Sequence, residues 1–591
     1  MVPHFQCSSA MKGDSADIEK RDFCLERPRL SSSASTGGGG ETDAILSTVG
    51  DFGRWQAVVT VLLSLVKIPV AWFQLGIVFL APPFPSPPTC ARPPGSNISL
   101  ELWRNISEPY VQKGDTMVYD SCHIYNLNYT GFFDSGWNQT SQVSKSTTVI
   151  PCMSWEYDRS LFEETIISEW DLVCQRTQLS NIVQMTFMFG ILIGNVLFGI
   201  WADRYGRKVP LIAALTLQAI TAVASALVPW FEAFVILRFL LALATGGTML
   251  TSFVICMEIV GGWWRTAIPI LYQIPFGIGQ CTMSGLAYYL RHWRHLQLTL
   301  GMLSAFFILF WWVIPESPRW LLSVGRRKEA LEIIKNAAKK NGRPVDALHD
   351  LRIEEKVRET GNQNVGQKNR ILDLMKRPHM RTITLCIFCD WFIGGLAFFG
   401  LSQYLAYVGG NLFTTVVMTS LSSVPGTLAC VYIVERYGRR KTIIVSQMIT
   451  GIATILILAF PIGEYVGDWP RVLLVVVGTM GISVAFPALY LYSGELFPTV
   501  IRNSTMGVAS MFGRIGSMAA PFLATLGYYG DYLPPLTIGA TYIVGTFLIF
   551  FLPETKGKQL PDSLEDTDNF YKEKSNESSS YQSTVSETIQ Y

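Results

Sequence analysis

Charged side chains are scarce in this 591-residue chain. They make up 16% of it, against about 25% in soluble domains, whereas hydrophobic residues make up 49% and the mean hydropathy is +0.29. This shortage excludes an ordinary soluble globular protein and indicates one that resides in a membrane. The formal net charge of +2 is too small for a nucleic-acid-binding surface, so we predict no nucleic-acid partner.

Signatures of catalysis and pumping are missing as well. The sequence contains no Gly-x-x-x-x-Gly-Lys-Ser/Thr loop, which argues against a primary pump driven by ATP hydrolysis. The pair Cys386 and Cys389 lacks a second pair of metal ligands, and we interpret it as two small apolar residues of a helix. We therefore predict no enzymatic activity, no metal site and no cofactor.

Long apolar runs dominate the chain. Residues 1–54 contain no apolar core of signal-peptide length, and the run 55–80 is too long for one, so we expect a signal anchor. Twelve runs approach the roughly 20 residues that a helix needs to cross a bilayer. We predict spans at 55–80, 179–201, 209–229, 233–256, 266–290, 296–315, 381–406, 411–434, 441–461, 471–493, 504–528 and 534–553.

Three polar motifs occur twice, in the same order, between these runs. The loop 202–208 (ADRYGRK) returns as 434–441 (VERYGRRK), the pair Glu258 and Arg265 returns as Glu495 and Arg502, and 315–317 (PES) returns as 553–555 (PET). Such repetition indicates an internal duplication. We therefore predict an all-α membrane protein with twelve transmembrane helices in two six-helix bundles. Its predicted parts are an N-terminal tail 1–54, a first bundle 55–315, a cytosolic linker 316–380, a second bundle 381–553 and a disordered tail 554–591.

The repeated acidic and basic residues lie at the ends of predicted spans. A carboxylate there can pair with a guanidinium group or cap a neighbouring helix. We interpret them as gate ion pairs that form in one conformation and separate in another; the alternative is that they only anchor loops and set the topology. The predicted gate residues are Asp203, Arg204, Arg207, Glu258, Arg265, Glu316, Glu435, Arg436, Arg439, Glu495 and Arg502.

A polar segment, 81–178, separates the first two spans and collects cysteines and glycosylation sequons. The sequons begin at Asn97, Asn105, Asn128 and Asn138, and the cysteines are Cys90, Cys122, Cys152 and Cys174. This combination predicts a glycosylated, disulfide-linked extracellular loop, with three cysteine pairings open; chance sequons in a cytosolic loop are the alternative. Basic residues in 202–208 and 435–441 independently place those loops and both termini in the cytosol.

Charges inside spans are costly and usually functional. Lys67 and Arg514 lie near mid-depth, and Asp390 lies inside the seventh span, a set that suits a ligand with a carboxylate. The alternatives are structural: Arg514 pairs with Asp390 or with backbone carbonyls, and Lys67 snorkels or pairs with Asp390. For Asp390, an internal counter-ion is the preferred role.

Uncharged polar groups on the spans complete the predicted binding site. Polar side chains on a span prefer the interior of the bundle, and tyrosine offers both a ring face for cations and a hydroxyl. We select Tyr404, Gln273 and Tyr490 on this basis.

Several motifs together resemble a known family. Twelve spans, the duplication and the segment Gly199–Lys208 identify the chain as a member of the major facilitator superfamily. Three segments are similar to those of its organic cation/anion/carnitine transporters, solute carrier family 22: Ser168–Cys174, Pro315–Leu322 and Glu495–Thr499. The sequence as a whole resembles the insect members of that family.

The resemblance implies a multi-pass plasma-membrane protein, surrounded by lipid, that moves small organic cations, anions or zwitterions such as carnitine or β-alanine by alternating access. Arg514 resembles a position that is acidic in typical cation carriers and basic in anion and carnitine carriers. Ser423 and Thr427 depart from both patterns, which keeps a zwitterion open. The alternatives are a sugar-type porter of the same superfamily and a transport-inactive receptor or scaffold.

Overall fold

The computed structural model describes residues 49–557, apart from 85, 94–97, 114–115, 128, 130–147, 344–374 and 499–500. Most of the predicted N-terminal tail, about half of the predicted linker and nearly all of the predicted C-terminal tail therefore lie outside the described residues.

The first half of the chain forms six spans. The first span consists of three consecutive helices and the fifth of two, so both are interrupted within the bundle. Their bounds are Arg54–Leu65, Lys67–Leu75 and Ile77–Leu80 (first), Gln178–Tyr205 (second), Lys208–Leu227 (third), Phe231–Ile259 (fourth), Trp264–Leu271 with Ile274–Tyr289 (fifth), and Trp293–Ala305 continued by the 3-10 helix Phe306–Trp312 (sixth).

The second half repeats the pattern with continuous helices. Its spans are Pro378–Tyr404 (seventh), Leu412–Tyr437 (eighth), Arg439–Leu456 (ninth), Trp469–Leu496 (tenth), Arg502–Thr525 (eleventh) and Leu533–Phe550 (twelfth).

The twelve-helix architecture predicted from the sequence is confirmed. Within the described residues, ten helices are long and apolar enough to cross a membrane. The other two spans fail that test for visible reasons: the fifth is interrupted at Tyr272 and Gln273, and the eleventh is rich in small and polar residues and contains Arg514.

The segment between the first two spans, which we call the outer loop, is a small folded unit. It contains helices α1 (Leu100–Ser107) and α2 (Ile166–Glu169) and three antiparallel strand pairs. These are β1 (Thr89–Cys90) with β6 (Trp155–Glu156), β2 (Tyr110–Lys113) with β3 (Thr116–Tyr119), and β4 (His123–Tyr125) with β5 (Val149–Pro151). We call the membrane face that carries it the loop side, and the opposite face, which carries the Arg-Tyr-Gly-Arg motifs, the motif side.

Two further helices follow the sixth span on the motif side, α3 (Pro318–Ser323) and α4 (Arg327–Lys340). Helix α4 buries Ala330, Ile334 and Ala337, an apolar stripe at helical spacing. Just beyond its end, Asn341 donates to the carbonyl oxygen of Val49 at 3.1 Å and accepts from the amide of Trp55 at 2.9 Å. The linker is thereby fastened to the start of the first span.

The two halves meet along two seams. The fifth span packs against the eighth, and the second packs against the eleventh. Because the duplication relates the second span to the eighth and the fifth to the eleventh, the two seams are equivalent. A large cluster of buried apolar side chains crosses them on the loop side.

Glycines allow close contact between two spans within each half. A Cβ on Gly279 of the fifth span would lie 2.8 Å from the carbonyl oxygen of Ile68 in the first, and a Cβ on Gly395 of the seventh would collide with the carbonyl of Gly513 in the eleventh. Only glycine permits backbones to approach this closely. The first and fifth spans, and the seventh and eleventh, are therefore held together backbone to backbone.

Candidate functional site

A cavity lies between the two halves near the middle of the spans. Spans one, two, four and five line it from the first half, and spans seven, eight, ten and eleven from the second. Its polar lining residues are Lys67, Gln74, Asn195, Gln273, Gln280, Ser402, Thr419, Ser423, Thr427, Thr479, Ser483, Tyr490, Ser510 and Arg514. Four of the six predicted substrate-binding residues are among them: Lys67, Gln273, Tyr490 and Arg514.

Two cations face this cavity, one from each half. Lys67 is the first residue after the break in the first span, and its Nζ lies 4.9 Å from the centroid of the Tyr272 ring. A guanidinium nitrogen of Arg514 lies 3.4 Å from the sulfur of Met249, which belongs to the fourth span in the other half. Within the described part of the chain, neither cation has a carboxylate within 4.0 Å. Both charges are therefore available to a ligand.

Aromatic rings form much of the remaining wall. Tyr490 stands at the centre of them: its ring centroid lies 4.5 Å from that of Trp391, 6.0 Å from Phe486 and 6.2 Å from Phe253. The indole nitrogen of Trp391 donates to the Ser493 hydroxyl at 2.9 Å, which fixes the ring. Such a wall suits the apolar body of an organic ligand and can also face an ammonium group.

Two amide side chains of the cavity are incompletely hydrogen-bonded. Nε2 of Gln74 and Oδ1 of Asn195 are buried and lack a hydrogen-bond partner. Buried polar atoms nearly always have a partner, so these two atoms are suited to bind water or a ligand. Sequence reasoning missed both residues, because uncharged amides occur widely in membrane helices; their mid-span position was the only available signal.

Asp390 does not line the cavity. Its carboxylate is fully buried inside the second half and accepts hydrogen bonds from Nε2 of Gln447 at 3.0 and 3.1 Å. A Cβ on Gly545 would lie 2.8 Å from it, so the twelfth span also packs against this group. The alternatives that paired Asp390 with Arg514 or Lys67 are wrong in this structure. The side chain of the adjacent Trp391 faces the cavity instead.

Tyr404 also lies away from the cavity. It ends the seventh span, is buried, and its hydroxyl accepts a hydrogen bond from Arg471 at 3.0 Å. Arg471 in turn donates to the carbonyl oxygen of Phe460 at 3.0 Å. Its position assigns Tyr404 to the packing of the seventh span against the tenth.

Four predicted gate residues of the first half form one cluster on the motif side: Asp203, Arg207, Glu258 and Glu316. Arg207 pairs with Asp203 at 2.8 Å and with Glu258 at 3.1 Å, and its backbone amide donates to Glu316 at 2.7 Å. Burial opposes the charge of Arg207, but hydrogen bonds and the charges of Glu258 and Asp203 outweigh it and raise the pKa of the guanidinium. Arg204 lies over the ring of Tyr205, 5.6 Å from its centroid.

The second half repeats the cluster. Arg439 pairs with Glu495 at 2.7 Å, and its backbone amide donates to Glu554 at 2.9 Å. Glu554 thus occupies the position in the second half that is equivalent to Glu316 in the first. The backbone carbonyl of Arg436 accepts from Lys556 at 2.9 Å. Each of these ion pairs joins spans of one half.

Arg265 and Arg502 are also equivalent. Their Nε atoms donate to the carbonyl oxygens of Val260 and Phe497, at 3.1 and 3.2 Å, immediately after the fourth and tenth spans end. A cation beside a helix carboxyl terminus is favourable. Glu258 is within ion-pair distance of Arg207.

Glu435 breaks the symmetry between the clusters. Its counterpart Asp203 pairs within the first half, but the carboxylate of Glu435 accepts a hydrogen bond from the indole nitrogen of Trp263, which belongs to the first half. One motif-side contact therefore connects the two halves directly.

The outer loop pairs its predicted cysteines as Cys90–Cys152 and Cys122–Cys174. Asn105 lies on α1 with an exposed side chain whose Oδ1 accepts from the Tyr119 hydroxyl. Asn97, Asn128 and Asn138 lie outside the described residues.

Comparisons with known proteins agree with this architecture. The family model "Sugar (and other) transporter" matches residues 123–565. The organic cation transporter protein of Drosophila melanogaster is 33% identical over 540 residues, covering 90% of this chain and 95% of its own. Human solute carrier family 22 member 13 is 33% identical over 535 residues (88% and 92%), and the beta-alanine transporter of D. melanogaster is 31% identical over 549 residues (89% and 88%).

Solved structures share the fold. The proton:xylose symporter XylE bound to 6-bromo-6-deoxy-D-glucose aligns with a TM-score of 0.54 at 16% identity, covering 86% of this chain and 98% of its own. The inward-open XylE from E. coli aligns at 0.55 with 16% identity (85% and 98%). The chain therefore belongs to solute carrier family 22, within the sugar (and other) transporters of the major facilitator superfamily.

Proposed function

We propose that this protein transports a small organic ion that carries a carboxylate, by alternating access of the cavity between its two halves. The observation that carries the proposal is the charge of that cavity. Its charged lining residues among those described are Lys67 and Arg514, both cations without a carboxylate partner.

The electrostatics favour a negatively charged group on the ligand. Two positive charges in a poorly solvated cavity repel a simple organic cation, and a carboxylate neutralises part of their repulsion. The ligand's body then lies against the aromatic wall around Tyr490 and Trp391. A zwitterion such as carnitine or β-alanine also fits, because its ammonium group can face these rings while its carboxylate faces the cations.

Family membership supports transport rather than catalysis, since the named relatives are transporters. A sugar-type porter is the first alternative, but a neutral sugar leaves both cavity cations unneutralised. A transport-inactive receptor or scaffold is the second alternative. Loss of flux in Arg502→Ala at an unchanged surface level would argue against it.

The motif-side clusters have a proposed role in the cycle. Arg207 with Glu258, and Arg439 with Glu495, brace the motif-side ends of each half while the halves rock. The Trp263–Glu435 contact between the halves then acts as the gate element that forms and separates.

The proposed location is the plasma membrane, with the outer loop extracellular and both termini cytosolic. The folded, disulfide-linked outer loop supports this placement, because disulfides persist outside the cytosol. A glycosidase-sensitive mass shift that Asn105→Gln reduces, together with a C-terminal tag accessible only after permeabilisation, tests it.

The decisive experiment is uptake in a heterologous cell. The panel holds one organic cation, one dicarboxylate, carnitine and β-alanine, and surface level is measured for every variant. Arg514→Ala and Lys67→Ala are expected to reduce uptake of the carboxylate-bearing substrate at least tenfold, and Arg514→Lys to retain part of it.

Asp390→Asn is the matched control. It also removes a charge inside a span, but one that lies outside the cavity, so the preference among the four substrates is expected to stay unchanged. Equal uptake of a simple cation by the parent, Arg514→Ala and Lys67→Ala would contradict the proposal and assign both cations to structure.

A further inference from the structure

An aromatic side chain of the second half is inserted into the first half on the loop side. Phe413, at the start of the eighth span, is buried among three rings of the first half: Phe79, Phe162 and Tyr288, with centroids at 5.7, 5.6 and 5.5 Å. Its carbonyl oxygen also accepts a hydrogen bond from the Ser284 hydroxyl at 2.9 Å. We call these three rings the Phe413 socket.

One wall of the Phe413 socket comes from the outer loop. Phe162 precedes a short segment that pairs with the turn between the fifth and sixth spans, where the amide of Trp293 donates to the carbonyl oxygen of Glu164 at 3.1 Å. The side chains of Glu164 and His292 lie 2.8 Å apart. Phe162 is therefore held on the first half by backbone and side-chain contacts.

A second contact fastens the same part of the outer loop. Glu169 pairs with Arg294, whose guanidinium also donates to the carbonyl oxygens of Ala226 and Val228 at 2.7 and 2.8 Å. These carbonyls belong to the end of the third span and to the turn that follows it. Because two turns of the first half hold the loop, the loop moves with that half when the halves rock.

We propose that the outer loop supplies a component of the loop-side gate: Phe162 retains Phe413 in its socket, and the cavity opens to the loop side when Phe413 leaves. The inference rests on the alternating access of the proposed function. A span of one half and a loop fixed to the other must separate for this opening, so loss of the Phe162 ring removes part of the contact that resists it. The outer loop is thus a moving part of the transport cycle as well as a site for glycans.

Reagent access to the cavity tests the proposal directly. Ser423→Cys places a thiol in the cavity lining, and a membrane-impermeant methanethiosulfonate reagent is applied to the loop side of intact cells. Labelling is measured on surface molecules only, and the chain without Ser423→Cys supplies the background from native cysteines. Adding Phe162→Ala or Phe413→Ala is expected to accelerate labelling about fivefold.

Phe84→Ala is the matched control. Phe84 also belongs to the outer loop, but its ring contacts a residue of that loop, with its centroid 4.9 Å from that of Tyr157. Its loss is therefore expected to leave the labelling rate unchanged. Where an alanine variant does not reach the surface, Phe162→Leu and Phe413→Leu replace it and remove only the ring.

The outcomes separate the two proposals. Labelling at the parental rate in the Phe162 and Phe413 variants overturns the gate, and so does equal acceleration by Phe84→Ala, which would reveal general loosening of the loop. A thiol at 423 that reacts from neither side of the membrane in any background overturns the central cavity itself, and with it the function on which the gate rests.

Discussion

The carboxylate of Glu435 accepts a hydrogen bond from the indole nitrogen of Trp263, and this bond crosses from one half of the protein to the other. The equivalent carboxylate in the first half, Asp203, pairs instead with Arg207 four residues further along its own chain segment. The acidic residue of the duplicated motif therefore differs between the copies: Asp203 pairs within its own half, and Glu435 contacts the other half.

Trp263→Phe is expected to open the motif side more often. It keeps the ring but removes the donor, and an exposed hydrogen bond to a carboxylate contributes about 1 kcal/mol, which shifts a two-state equilibrium about fivefold. The alkylation rate of Thr427→Cys in inside-out vesicles measures the shift. Trp264→Phe is the control, because Trp264 stacks on Phe52 within the first half; equal rates in both variants would refute the gate role.

Gln447→Leu is expected to destabilise the second half by more than about 2 kcal/mol, because it leaves the buried carboxylate of Asp390 without its hydrogen-bond donor. Thermal unfolding of the detergent-solubilised protein measures this. The double variant Asp390→Leu/Gln447→Leu is expected to recover most of the loss, since no buried polar group is then left without a partner. A double variant as unstable as Gln447→Leu would show that packing, rather than the unpaired carboxyl group, sets the cost.

Gly206→Ala is expected to lower surface level and stability strongly. The residue has a φ of +101°, and an added Cβ would lie 2.5 Å from a carboxylate oxygen of Glu316, which caps the start of the third span. With a ψ of 171° this conformation is nearly restricted to glycine, and it costs an alanine about 1–3 kcal/mol. Gly325→Ala is the control, since Gly325 has a φ of +77° with no atom within 4 Å of an added Cβ. An equal effect of both substitutions would exclude a contribution from displacing Glu316.

The outer loop is expected to lose local stability in acid. Burial favours a raised pKa for Glu156, but hydrogen bonds and the charge of Arg92 outweigh burial and hold the pKa below its ordinary value of 4.5. A depressed carboxylate pKa stabilises the folded state above the unfolded value, and the stabilisation is lost as the pH falls through the folded pKa. Loss should therefore begin near pH 4.5.

Hydrogen exchange of the purified protein measures this loss. The amide of Ala91, which donates to the carbonyl oxygen of Ser154 at 3.0 Å beside the β1–β6 pair, reports on the strands that Arg92 and Glu156 connect. Its protection is expected to fall below pH 4.5 in the parent and to lack this step in Glu156→Gln. An equal fall in protection in both proteins would show that a group other than Glu156 causes it.

Much of the architecture was predictable because its signals are local or repeated. Apolar run length indicates spans, and the two copies of Arg-Tyr-Gly-Arg reveal the duplication without any structure. Depth along a span is equally readable, which is why Lys67 and Arg514 were identified near the cavity. The three-part first span and the divided fifth span were not predicted, since their breaks at Val66 and Gln273 depend on packing between spans.

The direction in which a side chain points around its helix axis could not be predicted from the sequence. Asp390 and Trp391 have nearly the same depth, but one faces Gln447 inside the second half and the other faces the cavity. The seventh span is almost wholly apolar, so it has no polar stripe that would indicate which side faces the cavity. The same limit explains Tyr404, whose partner Arg471 lies on another span.

The glycine contacts give each cavity cation a rigid mount. Lys67 precedes Ile68, whose carbonyl contacts Gly279. Arg514 follows Gly513, whose carbonyl contacts Gly395. Each charge thus lies on a pair of helices in its own half that are packed backbone to backbone. The distance between the two charges therefore changes only as the halves move. Under the proposed function, bringing these like charges together costs electrostatic work in the empty protein, and a bound carboxylate lowers that cost. The substrate is then the counter-ion for the movement that carries it.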